Sequence, residues 1–368
     1  MLSRELRPTA CWCDFLSAAL YSILAMAVFA GLLVVFRWHE APAAGSNLQC
    51  SIIDCLVSCD GRRALVTYRR LGHVQSSLQL GLATVDLQGR SGRFQIAPTQ
   101  IASYALARID DDRSYIIGAN RQVIVRSNDS AESFASDGFA LPEGCLADVT
   151  PVSDSHTYLT TSTNGQLQLF DPRQNLVRWE RDVDCFTLHP QCGLHAVLPN
   201  RAIVQLSIET GEVLRTIAWC QASALALAID PLGTTIASLD CTGGVEANRL
   251  RDGKSRWRQL RHGSLTMPPS YRANIISTLL SFSADGSDLV TSASEGEWVL
   301  AIWDVKTGDR VSTLRGHDHP INGATFLPDG SLASWAADGT LRLWDARRGV
   351  VLRVFSIDPL PSLFRRLM

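Results

Sequence analysis

Two consecutive copies of one pattern, and a rhythm of short strands over the preceding chain, predict an all-β fold, a β-propeller of four-stranded blades. The copies occupy residues 282–349, where Trp303-Asp304 and Trp344-Asp345 fall 41 positions apart. Asp285-Gly286 and Asp329-Gly330 fall 44 positions apart. A repeat of about 40–45 residues is typical of one propeller blade, in which turn residues separate four antiparallel strands.

The two copies resemble the WD40 family, whose repeat carries Gly-His early and Trp-Asp late. Gly316-His317 supplies the first dipeptide, and the two Trp-Asp pairs supply the second. The resemblance is clear over residues 274–349 and weak before them. It implies blades that build a binding surface. It also implies a buried hydrogen-bond network that holds the last blade together, formed by His317, Ser334, Asp338 and Trp344.

Counting back from the C-terminal copies divides residues 48–357 into seven units with the strand rhythm of a blade. The second unit shows three candidate strand segments, SYALARIDDD, RSYIIGANR and QVIVRSND, and the third has Phe170-Asp171 in place of Trp-Asp. Seven units of about 44 residues suit a seven-bladed ring, with six and eight blades as the alternatives. Val350–Ile357 already completes the last unit, so we expect the first and last blades to abut.

An apolar segment precedes the propeller. Residues 15–36 are 22 consecutive residues without a charge, and a helix rising about 1.5 Å per residue would cross the roughly 30 Å bilayer core. A secretory signal has a shorter apolar core, about 7–15 residues. We therefore expect an uncleaved transmembrane helix, with cleavage near the small residues 41–45 as the alternative.

The predicted organisation has five parts: an N-terminal tail (1–14), the transmembrane helix (15–36), a linker (37–47), the propeller (48–357) and a C-terminal tail (358–368). Arg4 and Arg7 precede the apolar segment, and only Arg37 follows it closely. The positive-inside rule then places the N-terminus in the cytoplasm. The predicted localisation is a single-pass membrane protein with an extracytoplasmic propeller.

The chain has ten cysteines. An extracytoplasmic domain permits disulfides, and Cys185 and Cys192 are a candidate pair across a strand turn. The alternative is that most cysteines are small buried apolar side chains. The cysteines that follow the apolar segment lack the paired spacing of a zinc site.

Composition and motifs argue against several classes of function. The net charge is −2, whereas binding through phosphates needs clustered Lys and Arg, so nucleic acid is not expected as a partner. Because His317 belongs to the hydrogen-bond network, only Asp318 and His319 remain beside it as possible metal ligands, and two ligands do not make a metal site. The sequence predicts no metal, no cofactor and no catalytic residue. A hydrolytic triad is rejected because it requires an exposed nucleophile.

Six residues are candidates for partner binding. They belong to loops at the face where the inner strand of each blade begins, and Tyr, Trp and Arg dominate the energy of protein interfaces. The alternative for each residue is an ordinary solvated loop. The candidates are Arg69, Arg70, Tyr271, Arg272, Trp298 and His319.

The sequence therefore predicts a membrane-anchored propeller that serves as a protein-interaction scaffold and is not an enzyme. Two alternatives stay open. The first is a sensor or receptor ectodomain with a small ligand in the central channel. The second is a propeller enzyme, and the fold alone does not choose among these functions.

Overall fold

The computed structural model describes residues 50–71, 78–89, 94–96, 103–108, 113–118, 122–127, 138–142, 145–152, 156–162, 164–259, 280–294 and 298–357. The tails, the linker and the transmembrane helix of the sequence analysis lie outside these residues. Among the residues described, no helix has the length and apolar character needed to cross a bilayer.

Every regular element in the described ranges is a β-strand, and the strands form seven four-stranded antiparallel sheets. Each sheet contains four consecutive strands, numbered here in chain order. Sheet 1 contains β1 (Cys50–Val57), β2 (Arg63–Leu71), β3 (Leu78–Asp86) and β4 (Phe94–Ile96). Sheet 2 contains β5 (Ser103–Arg108), β6 (Arg113–Gly118), β7 (Gln122–Ser127) and β8 (Phe139–Ala140). Sheet 3 contains β9 (Cys145–Pro151), β10 (Tyr158–Ser162), β11 (Gln166–Asp171) and β12 (Leu176–Asp182).

The remaining sheets follow the same plan. Sheet 4 contains β13 (Cys185–His189), β14 (Gly193–Val197), β15 (Ala202–Leu206) and β16 (Val213–Trp219). Sheet 5 contains β17 (Ala224–Ile229), β18 (Thr235–Asp240), β19 (Val245–Arg249) and β20 (Ser255–Gln259). Sheet 6 contains β21 (Leu280–Phe282), β22 (Asp288–Ser294), β23 (Trp298–Asp304) and β24 (Arg310–Leu314). Sheet 7 contains β25 (Ile321–Phe326), β26 (Leu332–Ala336), β27 (Thr340–Asp345) and β28 (Val350–Ser356).

The prediction of an all-β propeller is confirmed. First strands of most neighbouring sheets contact one another, which places them around a common centre with the fourth strands outermost. Strand β8 was not predicted from the sequence, because its two residues, Phe139 and Ala140, are too few to show an alternating pattern.

The turn between the first and second strands repeats one Asp-Gly arrangement. In sheet 6, the Ser283 hydroxyl donates to Asp285 Oδ1 at 2.6 Å, and the Gly286 N–H donates to the Ser283 carbonyl at 2.9 Å. Gly286 has a φ of 71°, a left-handed conformation that glycine adopts without a Cβ penalty. Ser58 and Asp60 make the same 2.6 Å bond in sheet 1. Asp-Gly pairs therefore close the first hairpins of sheets 1, 6 and 7.

Apolar side chains between neighbouring sheets form the core. One cluster joins the last sheet to the first and includes Ile52 and Val66 of sheet 1 and Trp335 and Phe355 of sheet 7. The Asn322 side chain in β25 adds a hydrogen bond by donating its Nδ2–H to the Ile52 carbonyl at 2.5 Å. The first and last sheets thus abut, and each keeps its own four strands.

Two glycines with left-handed backbones separate the effect of conformation from the effect of packing. A Cβ on Gly330 (φ 84°) would meet nothing within 4 Å, whereas a Cβ on Gly308 (φ 77°) would lie 2.5 Å from Cγ of Trp257. Gly330→Ala should lower the free energy of unfolding by about 1 kcal/mol, through the backbone alone. Gly308→Ala should lower it by about 3 kcal/mol, because the indole must also shift. Urea denaturation measures both values, and equal losses would contradict this packing.

Candidate functional site

The structure brings together the four residues of the predicted network in sheet 7. The Trp344 Nε1–H donates to Ser334 Oγ at 2.8 Å, and Ser334 Oγ lies 2.7 Å from His317 Nε2. The other ring nitrogen of His317, Nδ1, lies 2.8 Å from Asp338 Oδ2. With the Ser334 hydroxyl donating to Nε2 and Nδ1–H donating to Asp338, each bond in the chain has one donor and one acceptor.

Asp338, the last residue of the hydrogen-bond network, strongly favours its charged carboxylate form. Burial acts to raise the pKa of Asp338. The hydrogen bond from His317, together with the bonds from the Thr340 hydroxyl and amide, outweighs burial and lowers the pKa to about 2. The Thr340 hydroxyl donates to Asp338 Oδ1 at 2.7 Å and the amide at 2.9 Å. Asp338 is therefore an anchor for the loop that carries His317.

The burial of Ser334 decides what the network does. Ser334 has no exposed surface, Trp344 is 1% exposed and His317 is 7% exposed. A serine nucleophile must be reachable by substrate, so this Ser, His and Asp cannot act as a hydrolytic triad. Their chemistry is structural: they satisfy a buried indole N–H that would otherwise lose its hydrogen bond to water.

The tryptophan position of the network differs between the two preceding sheets. In sheet 6, the Trp303 Nε1–H donates to Thr291 Oγ1 at 2.9 Å. In sheet 5, Asn248 occupies the position of the tryptophan, and its buried Nδ2 makes no hydrogen bond to any residue that the structure describes.

The entry face of the propeller carries those candidate partner-binding residues whose side chains the structure describes. We use this name for the face that contains the starts of the first and third strands and the ends of the second and fourth. Arg69 lies near the end of β2, opposite Ser51, and is exposed. Trp298 begins β23 and is 40% exposed.

The other candidates are less fully described. His319 lies two residues before β25 on the entry face and is half-buried, and its Nδ1 is buried without a hydrogen-bond partner among the described residues. Arg70 is part of β2, but its side chain is not described. Tyr271 and Arg272 lie outside the described residues. The structure therefore locates Arg69, Trp298 and His319 on one face.

Sequence reasoning missed two residues of sheet 4 on the same face. Trp219 ends β16, opposite Ala202, and is 58% exposed. Arg201 forms the preceding turn with a φ of 70°, and its Nη1–H donates to the Gln221 carbonyl at 2.7 Å. The signal for Trp219 was a tryptophan at the end of a fourth strand, just before the link to the next unit. It went unused because the repeat pattern is faint in this unit.

The structure supports packed thiols and not a disulfide for Cys185 and Cys192. Cys185 and Cys192 are free thiols, so the disulfide considered from the sequence is wrong. Cys185 pairs with Val197 at the open end of the β13–β14 hairpin, and Cys192 lies in its turn. Four strand residues between them correspond to about 13 Å, beyond the reach of a disulfide. Burial raises the pKa of Cys220 to about 11, so this thiol stays protonated at neutral pH.

Comparison with known proteins identifies the repeat. Residues 308–345, which hold all four residues of the network, match the family model described as "WD domain, G-beta repeat". Residues 308–345 therefore carry a WD40 repeat within this β-propeller. WD40 propellers generally bind protein partners, and they are generally scaffolds without enzymatic activity.

Three relatives show how far the WD40 similarity extends. The guanine nucleotide-binding protein subunit beta of Oryza sativa subsp. japonica is 35% identical over 94 residues, which are 25% of this chain and 24% of the relative. Pre-mRNA-processing factor 19 of the same organism is 38% identical over 86 residues, 23% of this chain and 15% of the relative. Apoptotic protease-activating factor 1 of Mus musculus is 34% identical over 77 residues, 21% of this chain and 6% of the relative. The matched region covers about a quarter or less of each.

The pKa of Asp338 predicts how the stability of the propeller depends on pH. The pKa falls from its usual 3.8 to about 2 in the fold, so the stabilisation is complete above about pH 4 and is lost as the pH falls through 2. A difference of nearly two units corresponds to about 2 kcal/mol. Asp338→Asn should lose about this much free energy of unfolding at pH 7 and depend less on pH between 5 and 2. Asp318→Asn, at an exposed neighbour, is the control. Identical pH profiles for Asp338→Asn and wild type would contradict the assignment.

Proposed function

We propose that this chain is a membrane-tethered WD40 scaffold that docks a protein or peptide partner on its entry face. In this proposal the seven sheets are the blades of one closed ring. The contact between sheets 1 and 7 through Asn322, Ile52 and the apolar cluster supports closure at seven.

The exposure of two tryptophans on the entry face carries the proposal. Trp219 is 58% exposed and Trp298 is 40% exposed, although tryptophan is highly buried on average in folded proteins. A large amphipathic ring that stays in water has apolar area to offer to a partner. Tryptophan and arginine are also the residue types most enriched among the hot spots of protein interfaces.

The backbone at Arg201 supports the same face. A φ of 70° at a residue with a Cβ is unfavourable, by about 1–2 kcal/mol for a non-glycine residue. The Arg201 amide donates to the Leu198 carbonyl at 2.7 Å, and the Cys220 amide donates to the Arg201 carbonyl at 2.9 Å. These bonds hold the loop next to Trp219, and such strain is concentrated at functional sites.

The tether rests on the sequence of residues 15–36. Its 22 uncharged residues have the length of a bilayer span, and Arg4 and Arg7 on the N-terminal side favour a cytoplasmic N-terminus. A tethered scaffold would present its entry face to partners at the membrane surface or in the adjacent compartment.

Exchange of both exposed tryptophans tests the docking face. Trp219→Ser combined with Trp298→Ser should reduce partner recovery at least tenfold, because loss of one hot spot costs about 2 kcal/mol or more. Proximity biotinylation with quantitative mass spectrometry measures recovery. The control combines Leu214→Ser with Leu232→Ser, two side chains 61% and 68% exposed at the opposite edge. Retention of every partner by the tryptophan variant, or loss of the same partners by the control, would exclude this face.

Protease protection tests the tether and its orientation. In sealed native membranes, added protease should digest the propeller without detergent and leave a small fragment that contains residues 15–36, since the propeller lies outside in this proposal. Digestion only after detergent would reverse the orientation. Release of the intact chain by alkaline carbonate would exclude the membrane anchor.

A further inference from the structure

Five outer strands donate a side-chain hydrogen bond to the backbone of the next sheet. The donors are Trp179 in sheet 3, Arg215 in sheet 4, Trp257 in sheet 5, Ser312 in sheet 6 and Arg353 in sheet 7. The acceptors are the carbonyls of Ile208, Leu250, Val305, Ala346 and Leu87, respectively. Every acceptor follows the third strand of its sheet by one or two residues.

The donors share one register position. In each of sheets 4 to 7, the donor lies opposite a residue of the third strand of its own sheet. That residue comes three positions before the carbonyl with which the same sheet accepts the bond from the previous sheet. Those partners are Gln205, Ala247, Ile302 and Leu343. Trp179 pairs with Leu169 in sheet 3, three residues before the corresponding position, Pro172. The donor position is therefore a property of the repeat.

A β-bulge adjoins this position in all five sheets. The register between the third and fourth strands shifts directly after Leu169, Gln205, Ala247, Ile302 and Leu343. A bulge bends the strand and re-aims the neighbouring side chain. The repeated shift accounts for how residues as different as tryptophan, arginine and serine reach the same carbonyl.

We infer that this position is an inter-sheet latch repeated around the propeller, and that Arg353 is the latch that closes the ring. Its Nη1–H donates to the Leu87 carbonyl at 3.1 Å and to the Gly89 carbonyl at 3.2 Å. The partners of this latch are about 265 residues apart in the chain. Each of the other latches joins two sheets that follow one another in the sequence. Sheets 7 and 1 have no strand in common, so Arg353 connects the two ends of the ring at its outer edge.

Amide hydrogen exchange on the full-length chain tests the closing latch. Arg353→Leu keeps an aliphatic side chain and removes the donors. Exchange in β1–β3 and β25–β28 should become about tenfold faster, since loss of a charged donor favours opening of that boundary. Exchange in sheets 4 and 5 should be unchanged. Arg348→Leu is the matched control, because Arg348 lies in the turn between β27 and β28, has a side chain that is 82% exposed, and pairs with Asp345 at 3.6 Å.

A second variant tests the latch at an interior boundary. Trp257→Phe keeps an aromatic ring and removes the Nε1–H that reaches the Val305 carbonyl at 2.7 Å. Faster exchange should then appear in sheets 5 and 6 and leave the boundary of sheets 7 and 1 unchanged. An increase spread over all sheets would show a general loss of packing and overturn the inference.

A conservative substitution provides a test if Arg353→Leu fails to fold. Arg353→Lys keeps the charge and one donating group, so it should speed exchange at the same boundary by a smaller factor. If the leucine and lysine variants both exchange like Arg348→Leu, Arg353 is not a latch. If the lysine variant exchanges faster in every sheet, the residue serves the whole fold and the inference is equally wrong.

Discussion

Apolar packing between neighbouring sheets is the interaction on which every other feature of this propeller depends. A single four-stranded sheet would expose one or both of its apolar faces, and burial contributes about 25 cal/mol for each Å² of apolar surface. Between sheets 5 and 6, the rings of Trp257 and Trp303 stack with centroids 6.3 Å apart inside a cluster of buried side chains. Each sheet is therefore stabilised by its two neighbours, and the same requirement holds where sheet 7 meets sheet 1.

The polar network is secondary to that packing. In sheet 7 every member from Trp344 to Asp338 has a partner. In sheet 6 Trp303 donates to the hydroxyl of Thr291, and in sheet 5 Asn248 replaces the tryptophan. All three sheets keep four strands and a buried interface. A buried indole needs an acceptor, but a blade can be built without the indole, which explains why the repeat signature fades while the fold persists.

The sequence was informative where local chemistry repeats. Trp303-Asp304, Trp344-Asp345 and the Asp-Gly turns located the last two sheets, because the same short-range hydrogen bonds recur at a fixed period. The short strand at Phe139 escaped because two residues carry no periodicity. The exposure of Trp219 could not be read from the sequence, since it depends on where β16 ends relative to the Arg201 turn. The hairpin register that separates Cys185 from Cys192 is likewise a property of the folded chain.

The contact between Asn322 and Ile52 determines the order of events during synthesis. These residues are 270 positions apart in the chain, and ribosomes add about 5–20 residues per second. The face of sheet 1 that carries Ile52 and Val66 therefore waits roughly 15 to 50 s for the sheet that covers it. An apolar surface that stays uncovered for so long is prone to aggregation. We therefore expect chaperones to bind the nascent chain until sheet 7 has left the ribosome.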